Sequence, residues 1–144
     1  MSLPLRLGRA GRAVCLGVSI AVALAAVHAQ TLAADDTQCT SASGRYRVSY
    51  SSELEPLAIN RIHDWVLHVE TTGGEPVVGA QIAIEGGMPE HDHGLATSPR
   101  VTEELGGGDY LIEGLRFHMP GRWEVVVSLR VVSEPDRCTL SFVL

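Results

Sequence analysis

The chain has 144 residues, of which 45% are hydrophobic and 19% charged, and eleven Lys and Arg against seventeen Asp and Glu give a net charge of −6. This length suits one domain of ordinary size. The negative charge disfavours binding to nucleic acid or to anionic membrane surfaces, and it modestly favours the attraction of cations.

Residues 1–29 have the layout of a secretory signal peptide. Arg6, Arg9 and Arg12 form a basic leader, residues 13–27 are an uncharged apolar run, and small residues ending at Ala29 supply a cleavage site. The run is shorter than the about 20 residues of a transmembrane helix. We therefore expect cleavage and a periplasmic or secreted protein with no stable membrane insertion. The alternative is an uncleaved leader that remains as an anchor.

The polar, small residues of 30–44 predict a flexible N-terminal segment, and residues 45–144 predict the folded domain. No sustained 3.6-residue apolar period occurs between residues 30 and 144, whereas short alternating runs separated by turn residues are frequent. Seven or so short strands at this spacing predict an all-β, two-sheet sandwich. The predicted strands are 45–50, one or two within 57–70, 77–85, a short extended piece at 100–102, 110–115, 123–132 and 138–144.

Export would leave two cysteines, Cys39 and Cys138, one near each end of the domain. In an oxidising compartment such a pair indicates one disulfide bond. Neither cysteine belongs to a Cys-x-x-Cys pair or lies beside a His, which favours the disulfide over two free thiols or metal ligands. A bridge that closes a loop of about 100 residues would stabilise the fold by roughly 4–5 kcal/mol in the chain-entropy model.

The residues with the clearest chemical potential lie in a predicted loop, 86–99, and a predicted turn, 117–122. Each contains Met and His beside a Pro. Thioether together with imidazole suits copper, above all Cu(I), whereas imidazole alone suits several metals. His91 and His93 are two positions apart and would point to the same side of an extended segment. The predicted metal ligands are Met88, His91, His93, His118 and Met119.

One shared ion requires that the strands before the loop and the turn run in the same direction, so that both lie at one end of the sandwich. The alternative is a loop scaffold in which His91, Asp92 and His93 are hydrogen-bonded and the two Met fill the end of the core. The domain would then be a metal-free interaction or structural module that docks on a partner protein.

The remaining candidates predict structural roles. His63 and His68 are five positions apart in a strand and therefore on opposite faces, and Trp65 and Trp123 suit the core of a sandwich. No nucleophile elbow, P-loop, dinucleotide fingerprint or His-Glu-x-x-His motif occurs. The sequence therefore predicts that the protein is not an enzyme.

Several motifs between residues 62 and 129 occur together in a recognisable order: Trp65, Gly-Gly-Glu-Pro-Val-Val-Gly-Ala (73–80), Met-Pro-Glu-His-Asp-His-Gly (88–94), Gly-Asp-Tyr (108–110) and Phe-His-Met-Pro-Gly (117–121) before Trp123. The segment resembles the YtkA-like family of small secreted β-sandwich proteins, related to the periplasmic part of the FixH proteins. The resemblance implies an immunoglobulin-like sandwich and export. Such domains are often found with copper handling and respiratory oxidase assembly, and we expect a copper ion and a periplasmic or membrane protein as partners. FixH proteins keep an N-terminal membrane anchor, whereas this leader has a cleavage site, which weakens the oxidase-assembly role.

Overall fold

The computed structural model describes residues 37–144, so the predicted signal peptide (1–29) lies outside the described residues. The described residues form an all-β fold of two antiparallel sheets, as predicted, and none of them belongs to a helix long and apolar enough to cross a membrane. The strands are β1 (Gln38–Thr40), β2 (Tyr46–Ser52), β3 (His63–Thr71), β4 (Gln81–Met88), β5 (His93–Gly94), β6 (Arg100–Gly106), β7 (Asp109–Leu115), β8 (Arg122–Val131) and β9 (Glu134–Val143).

The first sheet has the strand order β1-β2-β3-β7-β6 and the second has the order β5-β4-β8-β9. Alternation along β8 shows why the sheets stack: Trp123, Val125 and Val127 are fully buried, and the residues between them are half-buried. One apolar face per sheet packs against the other sheet, as in antiparallel sandwiches. The core contains Trp65 of β3 and Trp123 of β8 together with Phe117, so both predicted core tryptophans are buried.

Strands β4 and β7 both terminate at the same end of the sandwich. Gly87 near the end of β4 pairs with Glu124 near the start of β8. The link from β7 to β8 therefore passes from the first sheet to the second at this end of the sandwich. We call residues 88–93 and 117–121 the histidine rim. The other end of the sandwich, which contains the β8–β9 turn, is the opposite rim.

The N-terminal segment differs from the prediction of flexibility in its described part. β1 pairs with β2, and Cys39 forms the predicted disulfide bond with Cys138. The polar residues that follow are also held, because the Asp136 carboxylate accepts hydrogen bonds from the side chain and backbone of Ser43. The sequence predicted a loose segment because the partners of Cys39 and Ser43 lie on β9, far away in the sequence.

The predicted loop 86–99 also differs, since β4 continues to Met88 and pairs with β5. Gly86 and Gly87 allow this close pairing: a Cβ on Gly87 would lie only 2.7 Å from the carbonyl oxygen of His93. The loop therefore begins as a β-hairpin whose turn spans residues 89–92. Residues 57–60 form no strand, so the region 57–70 contributes β3 alone.

Two polar clusters hold the opposite rim. Partial burial raises the pKa of Asp136, but hydrogen bonds from the side chains of Ser43 and Ser41 and from the backbone N–H groups of Arg137 and Ser43 outweigh it and lower the pKa to about 2. The Tyr110 hydroxyl donates to the carbonyl oxygen of Val77 at 2.8 Å and accepts from the amide of Ala80 at 3.0 Å. Both clusters lie away from the histidine rim.

Candidate metal centre

The structure brings the two sequence-predicted clusters together. The ring centroids of His93 and His118 are 6.2 Å apart, with the ring planes inclined at 68°. The centroids of His91 and His93 are 6.5 Å apart, with nearly parallel planes at 25°. His93 is therefore the middle of three neighbouring imidazoles. The condition stated for a shared site, that loop and turn lie at one end of the sandwich, is met.

The β4–β5 hairpin positions His91 and His93. The amide of His91 donates to the carbonyl oxygen of Met88 at 3.0 Å, which closes the turn, and Asp92 has a positive φ of 52°. Met88 and His93 are then direct partners across the two strands. As a result, His91 lies in the turn and His93 lies beside Met88, and both His side chains are exposed.

The 117–121 turn is anchored through aromatic residues. Phe117 is fully buried and contacts Trp123 edge to face, with centroids 5.1 Å apart. The indole N–H of Trp123 donates to the carbonyl oxygen of Met119 at 3.0 Å. The ring of His118 stands edge-on to Trp123, with centroids 5.5 Å apart. Trp123 therefore orients both predicted ligands of this turn, a role that its assignment to the core did not reveal.

Both methionines of the histidine rim pack against the core. Met88 is only 1% exposed, and its terminal methyl group lies against Gly121. Met119 is half-buried and packs against the core. Met88 and His93 also line a surface cavity of about 340 Å³, whose other lining residues include Glu85, Asp92 and Glu124. Three carboxylates thus surround the approach to Met88 and His93, and such a surface attracts cations.

The imidazoles of the rim lack hydrogen-bond and ion-pair partners within residues 37–144. The Nδ1 atom of His118 is buried and has no hydrogen bond. In the same range the side chains of His91 and His93 form no hydrogen bond or ion pair. Among the described residues, the His side chains therefore do not form the hydrogen-bonded scaffold that the alternative predicted. The other half of that alternative, two Met that fill the end of the core, agrees with the buried Met88 and the core-packed Met119. Free ring nitrogens are the groups that bind metals, since a neutral imidazole carries a lone pair on one nitrogen.

The spacing fits an ion bound by few imidazoles. With metal–nitrogen distances of about 2 Å, two imidazoles on one ion have centroids about 5–6.5 Å apart, a range that includes His93 and His118. Across the described part of the chain, however, no three His, Cys, Asp or Glu side chains form a group that could hold an ion. A further protein ligand beside His93 and His118 would therefore have to be a thioether; Met88 is the cross-strand partner of His93, and Met119 follows His118 in the chain.

The other two histidines of the domain are elsewhere. His63 is buried, and its Nδ1 is bonded to the carbonyl oxygen of Arg61 at 3.0 Å. His68 lies on the outer face of the first sheet, where its Nδ1 contacts the Asp109 carboxylate at 2.6 Å. The predicted placement on opposite faces of the strand is confirmed.

The fold and the rim together define a small β-sandwich protein with a His/Met cluster at one end. The sequence model of the YtkA-like family matches residues 40–128, which is more than half of the chain, and the protein belongs to this family. Comparisons with curated proteins and with solved structures find no match.

Proposed function

We propose that this protein is an exported copper-binding domain that holds one ion at the histidine rim. His93, His118 and Met88 are the central ligands, and His91 and Met119 are the further ones. The observation that carries the proposal is the pair of unbonded imidazoles of His93 and His118, 6.2 Å apart and adjacent to a thioether. Imidazole and thioether without thiolate suit copper better than zinc, calcium or magnesium.

Two features of the chain support export. The basic and apolar leader supports export, and the Cys39–Cys138 disulfide bond suits an oxidising environment. In the periplasm or outside the cell, the protein would be placed for copper handling or respiratory oxidase assembly, the roles that the resemblance to the YtkA-like family implies. Its partner would be a periplasmic or membrane protein that supplies or accepts copper. The role is binding rather than catalysis.

The test is a competition titration of the purified protein with Cu(I) against a chelator of known affinity. We expect one tightly bound ion in the wild type. Loss of a ligand in His93→Ala or His118→Ala should weaken binding by about tenfold or more, since even removal of a supporting group often costs that much. His68→Ala is the matched control, because it removes a histidine from the outer sheet face. Equal affinity in wild type, His93→Ala and His118→Ala would contradict the proposal.

A second function is a metal-free docking domain. It is favoured by the surface of the rim, where the exposed His91 and His93 adjoin the carboxylates of Glu85, Asp92 and Glu124. Such a surface would suit a partner with a basic face. A wild-type protein that binds neither Cu(I) nor Cu(II) would favour this function over copper binding.

A further inference from the structure

The ligand candidates of the histidine rim form a gradient from solvent to core. His91 and His93 are exposed, His118 is half-buried with a shielded Nδ1, and Met88 is 1% exposed. A path from His91 through His93 to His118 therefore leads from water towards a buried thioether. The two ends of this path offer different chemistry to a metal ion.

The imidazoles do not enclose one common point. His93 has one neighbour at 6.5 Å with a nearly parallel ring and another at 6.2 Å with an inclined ring. Within the part of the chain that the structure describes, these three histidines form no group that could hold a metal ion together. An ion between His91 and His93 would thus occupy a different position from an ion between His93 and His118.

We propose that the histidine rim offers two positions for a copper ion, an outer one for Cu(II) between His91 and His93 and an inner one for Cu(I) between His93 and His118 with Met88. This inference rests on the proposed copper function and adds which oxidation state each ligand serves. The outer position is open to solvent, so water can complete the tetragonal nitrogen and oxygen set that Cu(II) prefers. No electron transfer is involved, because each ion binds in the state in which it arrives.

The inner position differs in the ligand that only Cu(I) favours. Soft thioether ligands select Cu(I), and Met88 is the direct cross-strand partner of His93. The turn that carries His118 is held in place by the bond from Trp123 to Met119. His118 and Met88 are therefore oriented by the core before an ion binds, whereas His91 lies in an exposed hairpin turn.

The test is a pair of titrations, with Cu(I) under reducing conditions and with Cu(II) in air, on the wild type and five variants. We expect His91→Ala to weaken Cu(II) binding by about tenfold or more and Cu(I) binding by less than about twofold. His118→Ala and Met88→Leu should do the reverse, and His93→Ala should weaken both. His68→Ala should change neither.

The spectra of the bound ions give a second readout that does not depend on affinity. Electron paramagnetic resonance should show imidazole nitrogen coupling to Cu(II) that is unchanged in Met88→Leu and altered in His91→Ala. X-ray absorption of the Cu(I) form should show a sulfur neighbour that Met88→Leu removes. Leu replaces Met at similar volume, so the fold tolerates this change best.

The outcomes separate the two proposals. Equal losses of both ions in His91→Ala and His118→Ala would overturn the two-position arrangement and leave a single copper site. A Cu(I) spectrum without sulfur in the wild type would also overturn it. Failure of the wild type to bind either ion would overturn the copper function itself.

Discussion

The terminal methyl group of Met88 lies against the backbone of Gly121. A Cβ on Gly121 would be only 2.7 Å from Cε of Met88, and Gly121 has a φ of 128°, which side chains rarely allow. A buried thioether of the second sheet and the turn that carries His118 and Met119 thus share a contact that requires glycine. Core packing and the geometry of the histidine rim are coupled at this contact.

Gly121→Ala should therefore lower both stability and Cu(I) affinity. The new methyl group meets Met88, and the positive φ adds backbone strain, so we expect a loss of about 1–2 kcal/mol in the free energy of unfolding. Denaturant unfolding and Cu(I) competition measure the two effects. Gly106→Ala is the control, since Gly106 also has a positive φ, of 88°, but its Cβ would meet nothing within 4 Å. The same Cu(I) affinity in both variants would contradict the coupling.

Trp123→Phe should disturb the rim more than Trp65→Phe. Both indoles are buried, but only that of Trp123 donates a hydrogen bond, to the Met119 carbonyl oxygen, whereas Nε1 of Trp65 has no partner within residues 37–144. We expect Trp123→Phe to cost about 1–3 kcal/mol more, because it leaves a carbonyl oxygen without its donor. Cu(I) affinity should fall only in Trp123→Phe. Equal affinities would show that this bond does not position the turn.

Asp136→Asn should destabilise the protein at neutral pH and lose its effect in acid. The folded pKa of Asp136 is about 2, below its usual value of 3.8, so its stabilisation is present above about pH 4 and is lost as the pH falls to about 2. We expect the free energies of unfolding of wild type and variant to differ by about 1–2 kcal/mol at pH 7. The difference is smaller than for a buried carboxylate because solvent screens the partly exposed Asp136.

Unfolding free energies of Asp136→Asn and wild type at several pH values measure this difference. Glu90→Gln, which removes an exposed carboxylate on the histidine rim, serves as the control. A gap between Asp136→Asn and wild type that persists unchanged from pH 7 to pH 2 would contradict the assignment.

Replacement of both Cys39 and Cys138 by Ser should lower stability without removing the proposed copper site. The bridge spans a sequence separation of 99, so we expect a loss of about 2–5 kcal/mol in the free energy of unfolding. Its ends lie on β1 and β9, and none of the rim ligands belongs to these strands. Thermal unfolding and copper titration at a temperature where the variant is folded separate the two effects. Loss of copper binding in the folded variant would contradict this separation.

Local pattern was sufficient to predict much of this protein. The alternation along β8 identified its buried face, and the turn residues around Gly107 separated β6 from β7. Two cysteines in a chain that we expect to be exported indicated the disulfide that the structure contains. The Met and His residues marked the rim by their side-chain chemistry alone. These features depend on neighbouring residues and on residue type, both of which can be read directly from the chain.

The meeting of the two clusters could not be read in this way. It depends on which sheet each strand joins and on the registers of β4 with β5 and with β8, and a shift of one residue would turn every side chain to the other face. The place of β1 beside β2, the contact of Met88 with Gly121 and the bond from Trp123 to Met119 are likewise set by packing. Pairings between strands distant in sequence are decided by the total burial of two apolar faces, a quantity that no short segment contains.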